Sequence, residues 1–168
     1  MKKSGFTLIE LLVGMIIVAI LTTIAIPFGK QFLQQQRTTN AQQIFTSMIQ
    51  FAQQTAVSEN TFVSICPTLD HKSCSNDWLQ EKIVFVGLYD KNKPVTDKKI
   101  LRVFPATTQG TLKVGARGAK DTPISWRFAA HDLNQNQNGS FNYCLDGQGW
   151  KIIINRLGRM RTEENLQC

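Results

Sequence analysis

Histidine occurs only twice in the 168-residue chain, at His71 and His131. No Ser-His-Asp arrangement follows from spacing, because such triads are defined by geometry rather than by order in the chain. There is no H-E-x-x-H for a catalytic zinc and no glycine-rich phosphate loop. Cys66, His71 and Cys74 do have the spacing C-x4-H-x2-C. They offer three ligands close together where a structural zinc site needs four, so a disulfide is expected across this loop and no metal site. These absences point away from catalysis, and no catalytic residue and no cofactor are expected. Internal repeats are absent too. Acidic residues are scarce: 12 Asp and Glu against 19 Lys and Arg leave a formal charge of +7. That surplus permits an anionic partner without requiring one, since net charge also serves solubility.

The long hydrophobic run lies at the start. Met1 to Phe28 reads M-K-K-S-G-F-T-L-I-E-L-L-V-G-M-I-I-V-A-I-L-T-T-I-A-I-P-F. From Phe6 to Ile26 it approaches the ~20 residues a helix needs to cross a bilayer. Lys2 and Lys3 should hold its start on the cytoplasmic side, leaving the rest of the chain outside. A secretory signal would have a shorter apolar core and an A-x-A-like cleavage site after it; here Pro27-Phe28-Gly29 follows instead. A carboxylate within a membrane helix costs about 2.5–3.5 kcal/mol on insertion scales, so Glu10 demands a functional reason and a cationic partner.

K-K-S-G-F-T-L-I-E-L-L-V resembles the class III leader of type IV pilins and type II secretion pseudopilins. The resemblance implies cleavage after Gly5 by a prepilin peptidase and N-methylation of the new N-terminus, Phe6. It also implies that Glu10 pairs with the terminal amine of a neighbouring subunit during assembly, so other major and minor pilins are partners through the N-terminal helix. A buried carboxylate needs such a cation.

All four cysteines, Cys66, Cys74, Cys144 and Cys168, lie beyond the membrane segment, in the compartment where disulfides persist. Four cysteines allow three pairings; the locally closed one, Cys66–Cys74 with Cys144–Cys168, is expected. The second bridge would fasten the C-terminal tail.

From Gly29 to Ser58 apolar residues recur at helical spacing, among them Ile44, Phe45, Met48, Ile49 and Ala52, which predicts an amphipathic helix stopping near Glu59-Asn60. Pro27 predicts a kink or local break. After Asn60 come short strands: Thr61–Cys66, Lys82–Tyr89, Ile100–Phe104, Leu112–Val114, Ile124–Phe128, Phe141–Cys144 and Trp150–Asn155. Polar turns separate them, including Asn134–Gly139. One long helix followed by antiparallel strands is α+β, which is the type IV pilin plan. The expected organisation is a leader over 1–5, a transmembrane segment over 6–28, a helical continuation over 29–60 and a globular β domain over 61–168 with a disulfide-tethered tail.

The basic tail carries the remaining signal. If Gly158-Arg159-Met160-Arg161 is extended, Arg159 and Arg161 share one face about 6.6–6.8 Å apart, with Met160 on the other. Gly158 permits the turn that leads in. Forked guanidiniums suit phosphate oxygens, and Arg156 and Lys151 lie nearby in sequence. Lys113, Arg117 and Lys120 would widen the patch if the fold brought them close. Chemistry alone leaves two readings open: a phosphate-binding face, or a solvated strand end paired with Glu163 and Glu164.

N-G-S-F at 138–141, then Cys144, G-W-K-I-I-I-N-R-L-G-R-M-R and a final cysteine resemble the GspH/FimT family of minor pilins and pseudopilins. G-R-M-R matches the G-R-x-R motif of its DNA-binding FimT members in naturally competent bacteria. What this implies is a minor pilin held in the inner membrane with its globular domain in the periplasm, then built into a type IV pilus. Its partner would be extracellular double-stranded DNA, bound without sequence preference through Lys151, Arg156, Gly158, Arg159 and Arg161 for uptake in transformation. The alternative within the same class is a GspH-like pseudopilin or minor pilin that primes or caps a filament and binds no DNA.

Overall fold

The computed structural model describes residues 7–90, 94–95, 98–116, 125–129, 138–155 and 157–168, with the side chains of 24–28 set aside. Helix α1 spans Leu8–Ser58, followed by β1 (Val63–Thr68), β2 (Glu81–Val86), β3 (Ile100–Phe104), β4 (Thr111–Ala116), β5 (Trp126–Phe128), β6 (Gly139–Leu145), β7 (Gln148–Ile154) and β8 (Met160–Gln167). The chain divides into two compact units, Met1–Arg37 and Thr38–Cys168, and α1 contributes to both.

In the first unit, Thr7 caps the helix. The Glu10 carboxylate accepts from the Thr7 amide at 3.1 Å and its hydroxyl at 3.0 Å, and the Glu10 amide donates back to that hydroxyl at 3.4 Å. This is a capping box, T-x-x-E, which satisfies two donors that a helix start otherwise orphans. It was legible in the sequence as Thr7-Leu8-Ile9-Glu10 but is hidden by the membrane reading. Large hydrophobic side chains from Leu8 to Leu21 are exposed, a surface that has to be covered by lipid or by protein. Among the described residues no helix is long and apolar enough to cross a membrane. The expected span, 6–28, starts at a residue outside the described ones and ends in side chains set aside. The expected break at Pro27 does not occur, since α1 runs through it.

The second unit is built on the other end of α1. Ala41, Phe45, Met48, Ile49, Ala52 and Ala56 are buried, the one-sided stripe that 3.6-residue periodicity gives an amphipathic helix. The stripe packs on two antiparallel four-stranded sheets, ordered β3-β2-β1-β5 and β4-β6-β7-β8. Phe141 of β6 lies at the centre of the aromatic core, 5.6 Å from Phe45, 5.3 Å from Trp78 and 5.1 Å from Trp126 between ring centres. The Trp150 indole donates to the Thr38 carbonyl at 3.1 Å, the partner a buried indole requires.

Where α1 stops, Asn60 is left-handed at φ 47°. The Thr61 amide donates to the Ala56 carbonyl and the Asn60 amide to the Val57 carbonyl, the paired bonds of a Schellman cap. Strand β2 ends at Val86, three residues before the expected Tyr89, because Gly87 turns at φ 97°. There the Gly87 amide donates to the Phe62 carbonyl and its carbonyl accepts from the Ser64 hydroxyl at 2.6 Å. The hairpin between β6 and β7 turns on Asp146 (φ 48°) and Gly147 (φ 84°), the D-G pair that suits a type I′ turn.

Both expected disulfides form, Cys66–Cys74 and Cys144–Cys168. With their sulfurs bonded to each other, Cys66 and Cys74 cannot serve as a zinc pair. His71 instead pairs with Glu81 at 2.8 Å. Cys66 joins Ile83, Phe85 and Val95 in a small second core on the far face of the first sheet, which is why β1 is buried on both sides.

Lys82 is fully buried. Its ammonium donates to the Pro105 carbonyl at 3.2 Å and the Thr107 hydroxyl at 3.1 Å, and stands 4.8 Å from the centre of the Phe45 ring. Burial lowers its pKa from 10.5 to about 8, with Asp77 opposing part of that drop.

Candidate nucleic-acid interface

The basic tail is the return strand of the β7–β8 hairpin. Beyond Ile154 the chain turns through Asn155 and Gly158. The Gly158 amide donates to the Asn155 carbonyl at 3.0 Å, and the Asn155 amide to the Arg159 carbonyl at 3.1 Å. The Asn155 side chain accepts from the Arg159 amide at 2.8 Å. From α1, the Gln53 side chain donates to the Gly158 carbonyl at 2.7 Å. Gly158 is buried with φ 74°, a conformation that costs other residues strain. The backbone leading to Arg159 is therefore fixed from three sides.

Strand β8 then pairs with β7 in the register Ile154↔Met160, Ile153↔Arg161, Ile152↔Thr162 and Lys151↔Glu163. Ile152 and Ile154 are buried and Met160 packs on the core, while Arg159 and Arg161 are exposed. Arg161 takes the outer face of the sheet, as alternation requires, and Arg159 is exposed in the turn just before the strand. At the far end the Cys168 amide donates to the Gly147 carbonyl at 3.2 Å and its sulfur is bonded to Cys144. The tail is thus held at both ends.

Acidic side chains temper this face. The Arg161 guanidinium pairs with the Glu163 carboxylate, two residues along the same strand, and Glu163 stands opposite Lys151 across the ladder. The Arg161 side chain remains 71% exposed in that pair, so the guanidinium keeps donors open to a ligand. Glu164 accepts from Gln42 of α1 at 2.8 Å instead. Lys151 is half-buried on the same outer face, where a lysine stem can lie along the sheet while its charge reaches water.

Arg156, Arg117, Lys120, His131, Gly5 and Phe6 lie outside the described residues. The structure brings Lys151, Gly158, Arg159 and Arg161 together on one hairpin. Sequence reasoning missed Gln53 and Asn155, which hold the turn; polar residues beside a basic segment carry no sequence mark of that role.

Comparison with known proteins follows the same lines. Residues 41–158 match the family described as Type II transport protein GspH, and residues 1–26 match the Prokaryotic N-terminal methylation motif. Two crystal structures of the type IV minor pilin FimU from Pseudomonas aeruginosa PAO1 are similar in fold, each at 22% identity. One, in space group P21, has a TM-score of 0.53 and covers 82% of this chain and 92% of that one. The other, in space group P65, has a TM-score of 0.51 and covers 74% and 90%. No curated protein matches. With a prepilin-type N-terminus, a helix packed on antiparallel sheets in the type IV pilin manner, and a family match over most of its length, the chain belongs to the GspH family of minor pilins and pseudopilins, of type IV pilus or type II secretion kind.

Proposed function

We propose that this GspH-family protein is a minor pilin of the FimT type. It is anchored in the inner membrane by its N-terminal helix, cleaved after Gly5, and assembled into a type IV pilus. There it binds extracellular double-stranded DNA for uptake in transformation, and it performs no catalysis. The observation that carries the reading is the pair of exposed arginines, Arg159 and Arg161, at the start of a strand tied down at its turn by Gln53 and Asn155 and at its end by Cys144. Ordering is largely complete before a ligand arrives, which lowers the entropic cost of engagement. Phosphate contacts of this kind position a duplex and carry no sequence information. A groove for single strands would want stacking aromatics beside the cations, and the described outer face of the β6–β7–β8 segment supplies none.

The test is a gel shift with the full chain in detergent at several salt concentrations. Each arginine removed should flatten the plot of log affinity against log salt by about 0.9. Arg159→Gln/Arg161→Gln should abolish the shift while circular dichroism stays unchanged. A double variant that shifts DNA as well as wild type refutes the tail as the site.

The pairing of Arg161 with Glu163 favours a second reading, in which the tail is a self-satisfied surface and the protein primes or caps a pilus or a type II secretion filament without touching DNA. Normal DNA uptake but reduced filament number in a deletion strain would select it.

A further inference from the structure

The two sheets differ in what their outer faces carry. That of β3-β2-β1-β5 is covered by the small second core around Cys66, Ile83 and Phe85. That of β4-β6-β7-β8 has no such cover among the described residues, and its register aligns residues far apart in sequence. Lys113 of β4 pairs with Asn142 of β6, Asn142 with Lys151 of β7, and Lys151 with Glu163 of β8. The next outward row is Gly115, Ser140, Ile153 and Arg161.

We propose that duplex DNA lies across this outer face, from Arg161 on β8 and Arg159 just before it to Lys113 on β4, and that Lys113 is a phosphate contact of the same surface. The inference rests on the DNA-binding reading of the tail and extends it to residues about fifty positions away.

Placement is settled by alternation. Leu112 and Val114 face the core, so Lys113 between them faces out, and it is exposed. Three strand spacings separate β4 from β8, about 14 Å. A duplex presents one charge per ≈3.4 Å on each strand, so about four phosphates per strand span that distance. Between the cations the face is low and neutral. Asn142 bonds to Ser140 at 3.2 Å, and a side chain added at Gly115 would meet nothing within 4 Å. A backbone can therefore lie close over Gly115, Ser140 and Asn142; Ile153, the one large apolar side chain of these rows, is half-buried. Of the two outward rows, Glu163 is the one acidic member, against Lys113, Lys151 and Arg161. The rows run transverse to the strands, so the three cations they carry between them offer a track and not a point.

The experiment compares Lys113→Gln, Lys113→Glu and Arg161→Gln with a charge-matched control, Lys72→Gln, which lies in the Cys66–Cys74 loop. All are full chains in detergent, titrated with one DNA fragment from 0.05 to 0.3 M salt. Lys113→Gln should flatten the salt slope by about 0.9 and weaken binding about eightfold at 0.1 M, the two lines meeting near 1 M. Lys113→Glu should weaken it further, and Lys72→Gln should leave the slope as in wild type. If Lys113→Gln and Lys113→Glu track Lys72→Gln while Arg161→Gln loses affinity, the extended face is refuted and the tail reading stands. If Arg161→Gln also tracks the control, the DNA-binding reading itself fails, and this inference with it.

Discussion

Replacing Lys82 by methionine separates the cost of a buried charge from the worth of its hydrogen bonds. Methionine approximates the lysine stem in volume, so the packing against Phe45 is largely kept. In the wild type the folded pKa is about 8 where the ordinary value is 10.5, and burial is the main cause. At 1.36 kcal/mol per pH unit the interval corresponds to about 3 kcal/mol of destabilisation while the ammonium stays charged. Between pH 8 and 10.5 the unfolded chain holds a proton that the folded chain has lost. The unfolded state then binds more protons, so wild-type stability rises with pH across that window and not below it. The variant lacks the titration and gains nothing there. At pH 7 it is spared the charge but leaves the Thr107 hydroxyl and the Pro105 carbonyl without their donor, at about 1–3 kcal/mol for each buried group. The opposing contributions bring it within about 3 kcal/mol of wild type at pH 7. By pH 10 wild type should have gained about 2 kcal/mol on it. Urea unfolding at pH 7, 8, 9 and 10, followed by fluorescence of the buried Trp78, Trp126 and Trp150, measures this. Comparing the two proteins at each pH cancels every other titrating lysine. A difference between them that stays constant from pH 7 to 10 would refute the argument.

Glu163→Gln should tighten DNA binding about 1.5- to 5-fold, the range set by 0.2–1 kcal/mol for an exposed pair, and Glu164→Gln, with the same charge change, should do less; in an Arg161→Gln background the advantage of Glu163→Gln should vanish. Cys144→Ser/Cys168→Ser should speed amide exchange along β8 and weaken DNA binding with the fold kept, and a stability loss at the upper end of about 2–5 kcal/mol would show instead as global unfolding. Gly5→Ala should leave the leader attached, so N-terminal sequencing should return Met1 in place of Phe6. Glu10→Val should ease membrane insertion by about 2.5–3.5 kcal/mol yet lower filament incorporation, and equal incorporation of mutant and wild type refutes its assembly role.

The α+β order was legible because its signals are local: a helical stripe ending at Asn60, then alternating segments. Boundaries moved where the backbone turns left-handed, as at Gly87, since a single glycine in an apolar run does not announce its φ. Lys82 begins the expected second strand, and only its packing under the segment at 105–107 shows that its ammonium is buried. The exposed arginines could be anticipated from alternation alone. Their neighbours could not: β4 pairs with β6 and skips β5, so Lys113 enters the row of Lys151 through a connection that no spacing reveals. A register shift between Gly149 and Lys151 lies just beyond the pair that sets Glu163 against Lys151, and such irregularities leave no mark in composition.

The anchoring of β8 at both ends has a mechanical side. A filament that is pulled back transmits force to whatever it holds. A strand fixed only at its turn yields to such a pull by peeling, one ladder bond at a time, at low force. Here the free end is joined through Cys168 to Cys144 on β6, two strands away, and the other end is closed by the Asn155–Arg159 turn. On the proposed DNA-binding reading, tension entering at Arg159 or Arg161 is shared between β7, through hydrogen bonds that must slip together, and β6, through a covalent link that does not slip.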